Sequence, residues 1–430
     1  MKRILIKIVI NMKYHVRPYP RLEYGIKKVV NHFPALKAKL KQVGNQKTFY
    51  SSFVSTKSNR ELLIDVTNVY AEDLKTGIQR VVRSIANELK NNDSLKNIDV
   101  QLVFLTDRNG YWCYRYVDEP TEMVVPKAKD IFLGLDFNAA VTEASYAGLF
   151  TDWKSRGTQI CFVVYDILPI LHPYWWYDGV SQAHEEWLKT IISYSDKVFC
   201  ISQTVSKDVK KYMTQHTLNI QNKPSIHWFH LGADVDNSVP SKGIPENAET
   251  VLNQFRSKPS FLMVATVEPR KGHEQTLIAF EKLWADQVDV NLVIVGKAGW
   301  QVNDLIQRIR KHIELNKRLF WLEAISDEYL EKVYAASTCL IAASQGEGFG
   351  LPLIEAAQHK LPIMARDIAI FREVAGEHAY YFPKDSSPEI LADTVKEWLE
   401  LNKGNLNPKS DNMPWLTWAQ SAQKITELMM

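Results

Sequence analysis

The strongest chemical signal in this chain is a pair of carboxylates, Glu347 and Glu355, that enclose a loop containing Gly348 and Gly350. An apolar run at 338–344 precedes the loop and a helical pattern follows it, which predicts a strand, a glycine loop and a helix. Glycine lets the backbone approach a ligand closely, and the free N–H groups at a helix start favour an anion. We therefore expect both carboxylates to face one cleft and to accept hydrogen bonds from sugar hydroxyls; the alternative is acids that only complement the helix dipole.

A second signal is a pair of adjacent cations, Arg270 and Lys271, which follow the predicted strand 261–266 and precede Gly272. The planar guanidinium offers two parallel hydrogen bonds to a phosphate, and the ammonium adds a compact charge. The sequence therefore predicts a diphosphate site at the carboxyl end of this strand. A solvated basic turn is the alternative.

Shorter loops give weaker signals at three other predicted strand ends. Gly296 follows one strand, but its surroundings lack the G-x-G-x-x-G pattern, which argues against a nicotinamide site. Gly77 and Arg80 lie between a strand and a helix, where Arg80 is a candidate for a phosphate or acceptor contact or an ordinary surface arginine. Asp166 closes the strand predicted at 159–165, where we expect it to face the cleft or to cap a turn.

The spacing of acids and cysteines does not indicate a metal site. Asp234 and Asp236 form a D-x-D pair, but no other ligand cluster accompanies them, so we interpret them as a non-metal stretch at the end of the first domain. The four cysteines lack the C-x-x-C spacing of a zinc site, and three of them lie in apolar strand-like runs, which predicts buried thiols in a reducing cytosolic compartment; these three are Cys161, Cys200 and Cys339.

The apolar pattern alternates strands and helices twice along the chain. Such alternation is typical of parallel α/β layers, whose ligands bind at the carboxyl ends of the strands. A polar stretch at 237–250 is the best linker candidate. The sequence thus predicts one Rossmann-like domain at 59–240, a second at 251–405, and a terminal helix at 414–430 that crosses back to the first domain.

Taken together, these motifs resemble family 4 retaining glycosyltransferases of GT-B fold, over about residues 61–428. The resemblance implies two Rossmann-like domains facing a cleft, a nucleotide-sugar donor in the second domain and an acceptor mainly on the first. It implies no metal and no cofactor. By resemblance, the catalytic residues are Glu347, Asp166, Arg270 and Lys271; the donor-binding residues are Arg270, Lys271, Gly348, Phe349, Gly350, Leu351, Glu355, Gly296 and Ile325; and the acceptor or phosphate loop contains Gly77 and Arg80.

Two departures from the family pattern bear on these roles. The loop at Gly77 has one glycine where the family usually has two, and Tyr165 stands where many relatives have a histidine near the donor sugar. The forms of the loops at 76–80 and 165–169 resemble those of bacterial polysaccharide mannosyltransferases. They favour GDP-mannose as donor and a lipid-linked oligosaccharide as acceptor, in synthesis of a surface polysaccharide. The alternatives are a non-catalytic nucleotide-sugar-binding partner, a sugar phosphorylase and a nicotinamide oxidoreductase.

Residues 1–58 differ in charge from the rest of the chain. They contain thirteen Lys or Arg and one acid, a formal charge of +12, so the remainder carries −9 of the total of +3. Apolar residues recur among these cations at helical spacing, which predicts a basic amphipathic extension on an anionic membrane surface. We expect a cytoplasmic protein, peripheral on the inner face of the membrane. A solvated leader is the alternative, and no nucleic-acid motif is present.

The charge of this extension predicts salt-sensitive membrane binding, because each cation near an anionic surface contributes about 1 kcal/mol. Full-length protein should sediment with anionic vesicles and be released by high salt. A chain starting at Asn59 should stay in the supernatant and keep its fold by circular dichroism. Equal sedimentation of the two proteins would show that the extension is not the membrane contact.

Overall fold

The computed structural model describes most of the chain after the basic extension. The predicted amphipathic helix and the second aspartate of the D-x-D pair, Asp236, lie outside the described residues, which are 50, 52–72, 76–108, 111–216, 223–234 and 240–430. Within these ranges the chain forms two separate sheets.

The first sheet has seven strands in the order β3-β2-β1-β4-β5-β6-β7, all parallel except the antiparallel edge strand β3. Its central strand, β4, is fully buried on both faces, as parallel sheets covered by helices require. The strands are β1 Glu61–Asp65, β2 Asp99–Arg108, β3 Tyr111–Tyr116, β4 Ile131–Gly134, β5 Gln159–Val164, β6 Lys197–Cys200 and β7 Ser225–Trp228.

The second sheet has six parallel strands in the order β10-β9-β8-β11-β12-β13. The order reverses between β8 and β11, and at such a switch point the loops after neighbouring strands diverge and leave a crevice. The strands are β8 Ser260–Val264, β9 Asn291–Val295, β10 Leu319–Leu322, β11 Cys339–Ala342, β12 Ile363–Arg366 and β13 Ala379–Phe382.

Helices cover both sheets. In the first half they are α1 Thr67–Ala71, α2 Gly77–Lys90, α3 Val141–Tyr146, α4 Leu149–Ser155, α5 Leu168–Leu171, α6 Val180–Tyr194 and α7 Gln203–Gln215. In the second half they are α8 Ala248–Arg256, α9 His273–Ala285, α10 Asn303–Arg310, α11 Asp327–Ala336, α12 Leu351–Gln358, α13 Ala369–Ala375, α14 Pro388–Lys403 and α15 Trp418–Met429.

This arrangement confirms the predicted fold class of two parallel Rossmann-like units. The strands predicted at 159–165, 261–266 and 338–344 all occur, within a few residues of their expected bounds. The predicted linker 237–250 is too long, because α8 already begins at Ala248. Strands β3 and β7 and helix α7 have no counterpart in the prediction, since their alternating or mixed patterns are weak. All four cysteines are buried free thiols, including the three expected.

The terminal helix α15 packs against α2 of the first unit. Its buried residues recur three and four positions apart, so that one face contacts the core. The Lys197 ammonium donates to the carbonyls of Leu428 and Met429 at 2.8 and 2.9 Å, which satisfies the free acceptors at the helix end. A side chain at Gly232 would lie 2.4 Å from the Trp418 nitrogen, so only glycine allows this close approach.

Two buried carboxyls stand at the carboxyl ends of neighbouring strands in the first unit. Asp65 ends β1 without solvent exposure and accepts hydrogen bonds from the Thr67 amide and the Tyr114 hydroxyl. Asp136, after β4, accepts from the amides of Asn68 and Val69 at 2.7 and 3.0 Å. Burial raises the pKa of Asp65 to about 7, against the lowering effect of its hydrogen bonds. These carboxyls fix the loop that leads from β1 toward α2.

The raised pKa of Asp65 predicts a pH-dependent stability. Between about pH 4 and 7 the folded chain holds a proton that the unfolded chain releases, so the free energy of unfolding should fall as pH rises, by at most about 1.4 kcal/mol per pH unit. Asp65→Asn should flatten this decline in urea unfolding measured across pH 5–8. The exposed Asp289→Asn serves as the control, and parallel curves for wild type and Asp65→Asn would contradict the assignment.

Candidate active site

The loop between β11 and α12 places Glu347 between two cations. Arg270 Nη1 donates to Glu347 Oε2 at 2.9 Å, and Lys271 Nζ donates to Oε1. Burial alone would raise the pKa of Glu347, but the charges of Lys271 and Arg270 outweigh it and hold the pKa at about 2. Glu347 is therefore ionised and held in one orientation at neutral pH.

Glu268 adds a second acid to this cluster. Its Oε1 lies 2.8 Å from Arg270 Nε, although the pair lacks hydrogen-bond geometry. Arg270 also donates to the Gly346 carbonyl at 2.7 Å. Burial and the neighbouring Arg270 lower the pKa of Lys271. Two cations and two acids thus neutralise one another in a buried cluster, which we call the 268–347 ion cluster: Glu268, Arg270, Lys271 and Glu347.

The glycine loop itself lies against the first unit. A side chain at Gly348 would come within 2.2 Å of the Tyr165 carbonyl, and Ser202 Oγ donates to the Gly348 carbonyl at 2.8 Å. Contact with the first unit therefore accounts for glycine at 348 without a ligand. Phe349 is buried, with its ring 5.4 Å from that of His230. Gly350 has a φ of 104° and directly precedes Leu351, the first residue of α12.

Glu355 connects the two units through a direct ion pair. Arg80 Nη1 in α2 donates to Glu355 Oε1 at 2.8 Å, and the Tyr334 hydroxyl donates to Oε2 at 2.7 Å. Burial, together with the charge of Glu355, raises the pKa of Tyr334 well above its usual range. Among the described residues, Arg80 Nε and Nη2 have no hydrogen-bond partner although they are buried. Arg80 therefore has two donors available for an additional ligand.

Gly77, Gly296 and Ile325 line one cavity of 920 Å³ between the units. Gly77 has open space where a side chain would stand, whereas a side chain at Gly296 would meet the Ala265 carbonyl at 2.0 Å. The φ of 148° at Gly296 also favours glycine. Three residues predicted from separate loops thus share a cavity wide enough for a nucleoside.

Asp166 follows β5, and its negative charge acts on the ion cluster. Together with Glu347 and Glu268, it raises the pKa of Arg270. Its Oδ1 accepts from the Leu168 amide at 2.9 Å and so also stabilises the following turn. Tyr165 points the other way, since its buried hydroxyl donates to the Leu135 carbonyl at 2.8 Å. Its side chain therefore belongs to the core of the first unit.

Sequence reasoning missed a second contact between the units, centred on Glu373 of α13. Its carboxylate accepts from the amides of Gln203 and Thr204, each at 2.7 Å, and from His230 Nε2 at 2.8 Å. Burial raises its pKa, but these hydrogen bonds prevail and lower it. Glu373 lies 170 residues from Gln203 at the start of the helix it caps, so no local sequence pattern indicates this contact.

The described residues contain no group of three or more His, Cys, Asp or Glu side chains arranged to hold a metal ion. Asp234 instead accepts from the Trp418 amide at 2.5 Å, at the start of α15. None of the helices in the described ranges combines the length and the apolar character needed to span a membrane.

Comparison with known sequences identifies the second unit. Residues 246–412 match the family model of glycosyl transferases group 1. The serotype-specific mannosyltransferase WbdA of Escherichia coli is 44% identical over 377 residues, which cover 85% of this chain and 46% of WbdA. The O-antigen chain mannosyltransferase RfbU of Salmonella typhimurium is 26% identical over 225 residues, covering 52% of this chain and 56% of RfbU. The chain thus spans about half the length of the WbdA proteins that it matches.

Comparison with solved structures concerns the fold. HepE of Anabaena, solved with UDP and glucose, aligns with a TM-score of 0.60 at 14% identity, over 86% of this chain and 99% of HepE. Sucrose-phosphate synthase of Thermosynechococcus elongatus aligns with a TM-score of 0.59 at 16% identity, over 86% of this chain and 98% of the synthase. Together with the two Rossmann-like sheets, these matches identify a chain of GT-B fold that carries a glycosyl transferases group 1 domain.

Proposed function

We propose that this chain transfers mannose from GDP-mannose to a lipid-linked or oligosaccharide acceptor, without a metal and with retention of anomeric configuration, in bacterial surface polysaccharide synthesis. The observation that carries the proposal is the 268–347 ion cluster, which puts Arg270 and Lys271 beside Glu347 at the switch point of the second sheet. The mannosyltransferase names of WbdA and RfbU support the sugar and the pathway class.

The cations in the cluster match the charge that develops on the leaving nucleotide diphosphate. Fixed positive charges in a site shielded from water stabilise such charge strongly, because they need no reorganisation during the reaction. Arg270 and Lys271 are already neutralised by Glu347 and Glu268. Binding of a diphosphate would therefore add negative charge to a balanced cluster, and the free N–H groups at the start of α12 would share that charge.

The reaction that fits these residues is a substitution on one face of the sugar. The acceptor hydroxyl oxygen forms a bond to the anomeric carbon while the bond from that carbon to the phosphate oxygen breaks. The acceptor proton passes to the departing phosphate oxygen, so no protein nucleophile is consumed. Glu347, fixed by two cations, is suited to orient the donor and to stabilise positive charge on the sugar rather than to attack it.

The remaining donor contacts would come from the 920 Å³ cavity and from the Arg80–Glu355 pair, which lines a smaller pocket of its own. Glu355 would accept from the ribose hydroxyls, with Arg80 and Tyr334 each donating to one of its oxygens. The walls formed by Gly296 and Ile325 would contact the base, and the two unpartnered donors of Arg80 would meet the ribose or phosphate oxygens. The acceptor would approach from the side of Gly77 and Asp166, with its lipid at the membrane surface held by residues 1–58.

A panel of nucleotide sugars tests the reaction and its independence from metal. GDP-mannose should be consumed in the presence of EDTA, and Arg270→Ala or Lys271→Ala should each lower kcat by roughly 10²–10³. Arg256→Ala, at an exposed cation in α8, is the matched control and should keep wild-type activity. Strict dependence on Mn²⁺ or Mg²⁺ would contradict the mechanism. Binding of GDP-mannose without turnover would favour a non-catalytic nucleotide-sugar-binding partner.

The Arg80–Glu355 pair tests the donor geometry. Glu355→Ala should weaken donor binding by about 1.5–3 kcal/mol, the value for a hydrogen bond to a charged group, and so raise the donor KM. Because the two side chains contact each other, the double variant with Arg80→Ala should lose less than the sum of the single losses. Unchanged donor affinity in Glu355→Ala would contradict the ribose role.

A further inference from the structure

An aromatic surface joins the two units beside the glycine loop. The short helical turn Pro173–Trp175 in the first unit is followed by Trp176, whose ring lies 6.5 Å from that of Trp300 in the second unit, with 27° between the ring planes. Trp300 Nε1 donates to the Trp175 carbonyl at 2.8 Å. Tyr174 extends the surface and is 70% exposed. We call Tyr174, Trp176 and Trp300 the aromatic shelf.

The shelf lies close to the ion cluster. The Trp175 ring packs against the glycine loop, because a side chain at Gly346 would meet it at 3.0 Å. Gly346 directly precedes Glu347 and accepts a hydrogen bond from Arg270. A molecule resting on the shelf would therefore reach toward the site where the donor sugar is expected.

A polar cavity of 590 Å³ opens beside the shelf. Its walls include Gln301, which follows Trp300, and Gln345, which precedes Gly346. His273 also lines it, and neither ring nitrogen of this buried histidine has a hydrogen-bond partner among the described residues. Burial lowers the pKa of His273 to about 3, so the neutral ring offers one donor and one acceptor.

Apolar ring faces next to amides and an unpartnered imidazole suit an oligosaccharide. A pyranose ring has an apolar face of C–H groups that packs on an aromatic ring, and its rim of hydroxyls requires donors and acceptors. A lipid surface would contact the exposed rings, but it would leave the polar groups of the cavity without hydrogen-bond partners. The observations thus favour a glycan over a membrane contact.

We propose that the shelf and this cavity form the subsite for the acceptor glycan, so that both units, and not the first alone, determine acceptor specificity. This inference rests on the proposed function. Trp176 and Trp300 would stack on successive sugar units, and the Trp300–Trp175 hydrogen bond would hold the two rings at a fixed spacing. Trp300 thereby couples acceptor binding to the approach of the units.

The test measures binding of mannotriose by calorimetry in the presence of GDP. Wild type should bind, and Trp176→Ala and Trp300→Ala should each weaken mannotriose binding roughly 10-fold or more, as for aromatic anchors elsewhere. Their GDP affinity should change less than twofold. Trp300→Phe, which keeps an aromatic face, should lose less than Trp300→Ala. Trp415→Ala, at a 40% exposed tryptophan outside the shelf, is the control and should bind as wild type does.

Several outcomes would overturn the subsite. They are the absence of mannotriose binding by wild type, equal binding by wild type and both shelf variants, and equal loss in Trp415→Ala. Loss of sedimentation with anionic vesicles in Trp176→Ala, with mannotriose binding intact, would identify the shelf as a membrane contact instead. If no nucleotide sugar is consumed, the proposed function fails, but the binding measurements still decide the subsite separately.

Discussion

The structure of the site depends on one buried interaction, the ion pairing of Glu347 with Arg270 and Lys271. Ions removed from water are stable only when they are paired closely, and here each carboxylate oxygen of Glu347 has its own cation. The pairing fixes the loop from β11 to α12, and through Gly346 it also fixes the backbone next to the aromatic shelf. Any ligand with a diphosphate would meet cations that are already oriented.

Contacts between the two units depend in turn on that loop. Gly348 meets the Tyr165 carbonyl so closely that no side chain fits between them. Farther from the loop, the Arg80–Glu355 pair and the bonds from Glu373 to the start of α7 join the same two units. Apolar contacts accompany these polar links, because one buried apolar cluster contains residues of both units, among them Ile201 and Phe349.

The sequence was sufficient to predict the parts of the fold that rest on local patterns. Buried strands and the loop with Gly350 at the start of α12 follow from apolar runs and from the left-handed backbone that glycine allows. From the sequence, Glu347 and Arg270 could only be expected to lie at the same cleft. Their pairing could not be predicted, because hydrogen bonds between distant segments leave no periodic signal. The roles of Glu373 and Trp300 were not predictable, since each depends on how the two units face each other.

The central claim is that Arg270 and Lys271 receive the diphosphate of the donor. A crystal structure with bound GDP tests it most directly. The account predicts phosphate oxygens within about 3 Å of the Arg270 guanidinium and the Lys271 ammonium, and ribose hydroxyls at Glu355. A structure with the diphosphate bound elsewhere, and with both cations still paired only with Glu347 and Glu268, would contradict it.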